Sequence, residues 1–383
     1  MSPSALEPQA TFPFSTHEST KPLSSIPFQP VPDLEPYGIS VKHGFLSSDA
    51  PLRSLESPYY EPWERIARNL PTLIRSRRLR LEIDGLPVLH TNHLRTRAEW
   101  QRACAVLGYF THSYIWAGDR PSERLPPSIT VPFLKVAAHL ELKPCAPYAV
   151  TNLFNWNTID PSVDVSLPED LMTNLSYTGS SDESWFYLIS VAMEARGARV
   201  FPDLLGAMRA ALTDDEQSVS EALIALAECI DDLSLLLGRM YEKCDPHVFY
   251  HVIRPFLAGS KNMAAAGLPH GVFYDEGNGK GVWRQYSGGS NAQSSLIQFF
   301  DAFLGVKHFA SGDGPEKTAK AQAFITDMRS YMPGGHRRFI EAVESSSNIR
   351  SYCLSRPKDH AVRKAYGMAV SALAALRGVT FSL

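Results

Sequence analysis

Between residues 213 and 240 apolar side chains recur at alternating spacings of four and three: Val219, Leu223, Leu226, Ile230, Leu233, Leu237 and Met240. That period keeps them on one face of an α-helix and predicts about six turns with a single buried stripe. Thr213 and Glu216 stand ahead of the run at capping-box spacing. A similar period begins near Tyr59, in EPWERIARNLPTLIRSRRLR, and returns over residues 247–257, 290–304 and 360–377. No stretch alternates apolar and polar positions as a half-buried strand would, and no internal repeat is visible. The pattern predicts an all-α fold.

Polar and Pro-rich stretches divide the chain. Residues 1–36 are rich in Pro, Ser and Thr and predict a poorly ordered tail. Residues 37–160 mix short helices with Pro-rich connections such as Leu125-Pro126-Pro127, and predict a small, mostly helical N-terminal domain. Residues 161–183, with Pro161, Pro168 and Gly179, form a linker region. Residues 184–383 hold the long helices and predict a large helical domain.

Composition narrows the class. The chain has 383 residues, 44% of them hydrophobic, enough for a sizeable core. A formal net charge of -3 creates no field that would gather nucleic acid or anionic membrane. Cys104, Cys145, Cys229, Cys244 and Cys353 are odd in number and dispersed. That argues against a disulfide framework or structural zinc and for a reducing compartment. No apolar run reaches membrane-spanning length, and the N-terminus lacks a secretory pattern. A cytoplasmic monomer is expected.

Three segments offer chemistry. In Gly288-Gly289-Ser290-Asn291-Ala292-Gln293, two glycines precede a serine placed to cap a helix. This is either an anion site built on backbone N–H groups or an ordinary loop-to-helix junction. In residues 249–256, Tyr250 and Arg254 share a helix face beside Phe249, Ile253 and Phe256. Arg254 there is either a carboxylate clamp next to a flat-ring pocket or a cation snorkelling from an amphipathic helix, and Pro255 should disturb the helix. In residues 331–339, Pro333, Gly334 and Gly335 make a turn, and His336 and Arg337 are expected to brace it. His90 and His93 lack a third partner, so no metal site is expected there.

Together these segments resemble the indoleamine 2,3-dioxygenase family. GGSNAQSSLIQ (288–298) and DMRSYMPGGHRRF (327–339) are similar to its two signature stretches. FYHVIRPFLAG (249–259), WFYLISVAMEA (185–195), LPPSITVPF (125–133) and residues 148–156 add further similarity. The resemblance runs from about residue 58 to 377. It implies a haem b enzyme whose large helical domain holds the haem, and which opens the indole C2–C3 bond of tryptophan or a related indole with O₂ to give N-formylkynurenine. It further implies that Arg254 binds the substrate carboxylate, that Phe249 and Phe186 pack on the indole, and that Tyr148 and Thr151 line the pocket. Ser190 falls at the distal, catalytic position near bound O₂. Gly289, Ser290 and Asn291 fall beside a haem propionate and the substrate ammonium.

One position departs from the family. Its last long helix carries LRxxH, whose His coordinates iron; here Leu376-Arg377-Gly378-Val379-Thr380 aligns with it, so Thr380 stands at the ligand position. A neutral Thr hydroxyl is a poor axial donor. On an unbroken helix, His360 would lie about 30 Å and Met368 about 18 Å along the axis from position 380. Two expectations stay open: a silent family member that binds indole or haem without turnover, or a C-terminus altered by a retained intron, since the codons for Gly378 and Val379 contain GT.

Overall fold

The computed structural model describes residues 30–160, 162–306 and 323–382, so most of the predicted N-terminal tail lies outside the described residues. The architecture is helical. Eight helices of ten residues or more occur among the described residues: α1 (Arg97–Trp116), α2 (Pro127–His139), α3 (Ser181–Ala198), α4 (Phe201–Ala210), α5 (Glu216–Gly238), α6 (Ser295–Leu304), α7 (Gly334–Ser346) and α8 (Ala361–Ser382). None is long and apolar enough to cross a membrane.

The predicted stripe is the spine of the molecule. Val219, Leu223, Leu226, Ile230 and Leu233 on α5 are fully buried, and Leu237 nearly so. Met240 continues the stripe on a 3₁₀ turn, Arg239–Glu242. α3, α4 and α8 pack around this helix. The α8 side buries Ala365, Ala369 and Ala372, small residues that let two helices approach closely along their length. The start of α5 differs from the sequence expectation. Asp215, not Thr213, is the N-cap and accepts the Ser218 N–H at 3.1 Å. The Thr213 hydroxyl instead donates to the carbonyl of Ala210.

Five short strands correct the expectation that the chain has none. β1 (Arg124–Leu125) pairs in parallel with β4 (Val272–Gly277), which pairs antiparallel with β5 (Lys280–Arg284) in the register Phe273 to Trp283. β2 (Trp156–Thr158) and β3 (Leu171–Thr173) pair antiparallel, drawing part of the expected linker onto the residues before it. None is longer than six residues, too short for alternation to stand out. A local signal did exist. Asn278 and Gly279, both at positive φ, connect β4 to β5, and Asn-Gly is the preferred two-residue hairpin turn.

The early helices are tied down by a buried ion pair. Glu64 and Arg102 have side chains 1% and 2% exposed and meet through two hydrogen bonds of 3.0 and 2.6 Å, while Glu64 also accepts the Leu55 N–H. Removing one member of such a pair strands the other charge in a dry interior. Glu64→Ala is therefore expected to lose about 3–5 kcal/mol of stability in urea titrations, whereas replacing both residues by apolar side chains of similar volume should lose much less.

Candidate active site

Four segments come together along one face of α3. Phe186, Ser190 and Glu194 follow each other at four-residue intervals on that helix, so they share one face. α3 is buried without a break from Tyr187 to Ala192, which explains its apolar composition all round. The second segment is a π-helical turn, Ala149–Leu153, with Tyr148 ahead of it and Thr151 within it, both buried. The third is another π turn, Phe249–Ile253, running into the short helix Arg254–Leu257. Pro255 has no N–H to return to the carbonyl four residues earlier, so the α-helical ladder fails there, as its presence predicted. Such π turns are uncommon and concentrate at functional sites. The fourth is the loop 288–293.

The segments are held together by polar contacts that local sequence does not dictate. The Tyr148 N–H donates to Gln293 Oε1 at 2.9 Å, and Gln293 Nε2 donates to the Gly288 carbonyl at 2.9 Å. The Gly289 N–H donates to the Leu257 carbonyl at 3.1 Å. Glycine is required in that approach, because a Cβ on Gly288 would sit 2.0 Å from the Leu257 oxygen. His112 on α1 bridges two further stretches. Its Nε2 accepts the Ala146 N–H at 3.0 Å, which leaves the proton on Nδ1 for the Phe256 carbonyl at 2.7 Å. Burial pushes the His112 pKa down to about 4, so the ring stays neutral and both roles are kept at physiological pH.

The sequence-derived residues fall as follows. Phe186 and Phe249 touch, with ring centroids 4.6 Å apart, and both are half-buried. Ser190 is buried on the face of α3 that carries Phe186. Arg254 is exposed, its guanidinium carbon 5.1 Å from the Tyr250 ring centroid, and among the described residues it has no carboxylate partner. It makes no hydrogen bond to Ser190 or Tyr148. Ser290 accepts the Ala292 N–H at 3.2 Å and caps only the 3₁₀ turn Asn291–Gln293, with Asn291 exposed. Ser290 therefore does not cap the long helix for which the sequence placed it. Ser294 caps the helix that follows, accepting the Ile297 N–H. His336 and Arg337 brace their turn as expected. His336 shares a 3.0 Å hydrogen bond with Ser295, and Arg337 donates to the carbonyls of Glu141 and Met332.

The chain is similar to known proteins over most of its length. The family model described as indoleamine 2,3-dioxygenase matches residues 33–381. The chain belongs to that family. Among curated relatives, an indoleamine 2,3-dioxygenase of Penicillium citrinum is 44% identical, the match covering 90% of this chain and 77% of that protein. A 6-hydroxytryptophan 2,3-dioxygenase of Fusarium equiseti is 40% identical over 92% of this chain and 84% of its own length. The indoleamine 2,3-dioxygenase of Saccharomyces cerevisiae is 40% identical over 91% and 78%.

Enzymes of this family are haem-dependent oxidoreductases, so the donor set of this chain must be tested against that group. Both ring nitrogens of His112 are engaged, and the Nδ1 of His336 is engaged by Ser295. Tyr366, on the same helix as position 380, gives its hydroxyl to the Leu304 carbonyl. No group of three His, Cys, Asp or Glu suited to a metal occurs among the described residues. The side chain of Thr380 lies outside the described residues; its hydroxyl is chemically a weak donor to iron. The axial position does not fit the group, and no chemical step is assigned through iron.

The residue that sequence reasoning missed is Glu194. It is 1% exposed, and its Oε1 accepts the Tyr148 hydroxyl at 3.0 Å and the Ser294 hydroxyl at 2.8 Å. A lone acidic residue inside WFYLISVAMEA was the available signal. Burial raises its pKa from 4.5 to about 7, against the lowering effect of those two hydroxyls and of the Leu296 backbone N–H. The unfolded chain thus ionises this carboxyl near 4.5 and the folded chain near 7. Its contribution to stability is full below pH 4.5, declines as pH rises through that interval and is lost above 7. At about 1.36 kcal/mol per pKa unit, roughly 3 kcal/mol is at stake. Urea titrations from pH 4 to 8 should show the native chain losing stability relative to Glu194→Gln over this range; parallel profiles would mean the carboxyl is not held neutral.

Proposed function

We propose that the chain is a dioxygenase of the indole ring, inserting both atoms of O₂ across the C2–C3 bond of tryptophan or a related indole. The observation that carries this reading is the touching rings of Phe186 and Phe249, Phe186 on the same face of α3 as buried Ser190, which offer apolar surface to a flat ring, with an uncompensated guanidinium at Arg254 on the adjoining turn. In this reading Arg254 takes the carboxylate, Phe186 and Phe249 pack on the ring, Tyr148 and Thr151 line the pocket, and Asn291 meets the ammonium. Gly289 and Ser290 would supply backbone and hydroxyl donors to a haem propionate. The protein's part in the reaction is to fix the ring's orientation and exclude water. The five cysteines are all free, which supports a reducing, cytoplasmic setting.

Two measurements test this. Arg254→Ala should weaken binding of indole amino acids by about 1.5–3 kcal/mol while leaving indoles that lack a carboxylate nearly unaffected. Equal losses for both ligand types would remove Arg254 from the carboxylate role.

The second concerns position 380. The chain should retain haem weakly and form N-formylkynurenine slowly, because pocket contacts without an axial donor leave the iron poorly held. Soret absorbance per protein should rise in Thr380→His or on adding imidazole. Full haem occupancy with rapid turnover in the unaltered chain would overturn this account.

A further inference from the structure

We propose that His247 and His251 form a chelating site for one divalent transition-metal cation of the zinc or copper class, and that the bound cation clamps the turn that carries Phe249. The site involves neither position 380 nor the residues assigned to the candidate pocket.

The two histidines are four apart on the helical stretch that opens at Pro246 and continues through the π turn Phe249–Ile253. Residues at that spacing share a face. Their ring centroids are 4.4 Å apart, with the planes inclined at 47°. Both side chains are exposed. They are the one pair of imidazoles in contact among the described residues. The ring nitrogens of His112, His336 and His43 meet other protein atoms. Among the described residues, neither ring of this pair gives a nitrogen to another protein group. Each neutral ring therefore keeps a lone pair for a cation.

The surroundings favour a positive ion. Asp245 caps the stretch, its Oδ1 accepting the N–H groups of His247 and Val248 at 2.7 and 3.3 Å. Its own N–H donates to Asp182 Oδ1 at 2.9 Å, which places a second carboxylate beside the first. The cations adjoining in sequence lie over aromatic rings, Lys243 over Trp185 at 4.1 Å and Arg254 over Tyr250 at 5.1 Å. Imidazole nitrogen suits Zn²⁺, Cu²⁺ and Ni²⁺, whereas Mg²⁺ and Ca²⁺ seek oxygen. No group of three His, Cys, Asp or Glu gathers for a metal among the described residues, so water completes the coordination and the cation exchanges with solution.

Phe249 stands midway between the two histidines and on the other side of the turn, because two residues are about half a helical revolution. It is half-buried against Phe186. A cation bonded to residues 247 and 251 closes a ring across the outside of this turn. The turn then cannot unwind without breaking a metal–nitrogen bond, so binding of the cation is linked to its stability.

The test is calorimetric titration of the full chain, first treated with EDTA, with Zn²⁺, Cu²⁺ and Mg²⁺. One equivalent of Zn²⁺ or Cu²⁺ should bind at this site, Cu²⁺ more tightly, and Mg²⁺ should not. His247→Ala and His251→Ala should each weaken that equivalent by about tenfold or more, since each tethered imidazole raises the effective concentration of the other. The double variant should abolish it. Both residues are exposed, so these variants keep the fold. Hydrogen exchange of the amides of residues 249–254 should slow when Zn²⁺ is added to the native chain, and should not change in the double variant. Binding that neither substitution weakens, or that only one of them weakens, would overturn the chelate. Binding that leaves the exchange rates unchanged would overturn the clamp.

Discussion

A carboxyl group inside an apolar helix must be met by donors from elsewhere in the chain, because no water reaches it and its own helix has none to spare. At Glu194 the donors come from Tyr148 and Ser294, 46 residues before it and 100 after it. That one requirement draws together α3, the turn that follows Tyr148 and the start of α6. Gln293 adds a second tie between the last two by accepting the Tyr148 N–H. The three segments that carry Phe186, Ser190, Thr151 and Ser290 are thus positioned by groups that are themselves set back from the ligand space. Positioning of this kind, from behind, is how a site keeps its geometry without crowding its contents.

Among the described residues, π-helical backbone occurs only at the two turns of the candidate site. Both π turns carry pocket residues, one following Tyr148 and one beginning at Phe249. Gly288 permits a main-chain approach that any side chain would block. The scaffold beneath is regular by contrast. α5, with its uninterrupted apolar stripe, is clasped by α3, α4 and α8, and Arg196 on α3 adds an ion pair to Asp232 on α5.

In the proposed reading, ring recognition and metal ligation reside on different parts of the chain. The residues proposed to accommodate a flat ring lie on α3 and on the turn at Phe249, whereas position 380, which the resemblance assigns to the iron ligand, lies near the end of α8. The family membership and the relatives' shared activity therefore bear directly on the pocket, and separately on the group that the pocket serves.

The amphipathic period of α5 and the all-α class were legible in the sequence, because each α-helical turn repeats the same side-chain geometry and the period needs no distant partner to declare itself. Arg254, Phe249, Phe186 and Ser190 were legible as candidates through segments that resemble a known family. Hidden from sequence were the five short strands, whose pairing partners lie up to about 150 residues apart. The N-cap of α5 was hidden too, decided between neighbouring polar residues by backbone angle. So was the orientation of Arg254, which rests on Tyr250 and not against Ser190. Glu194 shows the physical reason most directly. As a letter in a string it breaks an apolar pattern and reads as a flaw. Only the fold buries the carboxyl, which raises its pKa, and brings the Tyr148 and Ser294 hydroxyls onto one of its oxygens.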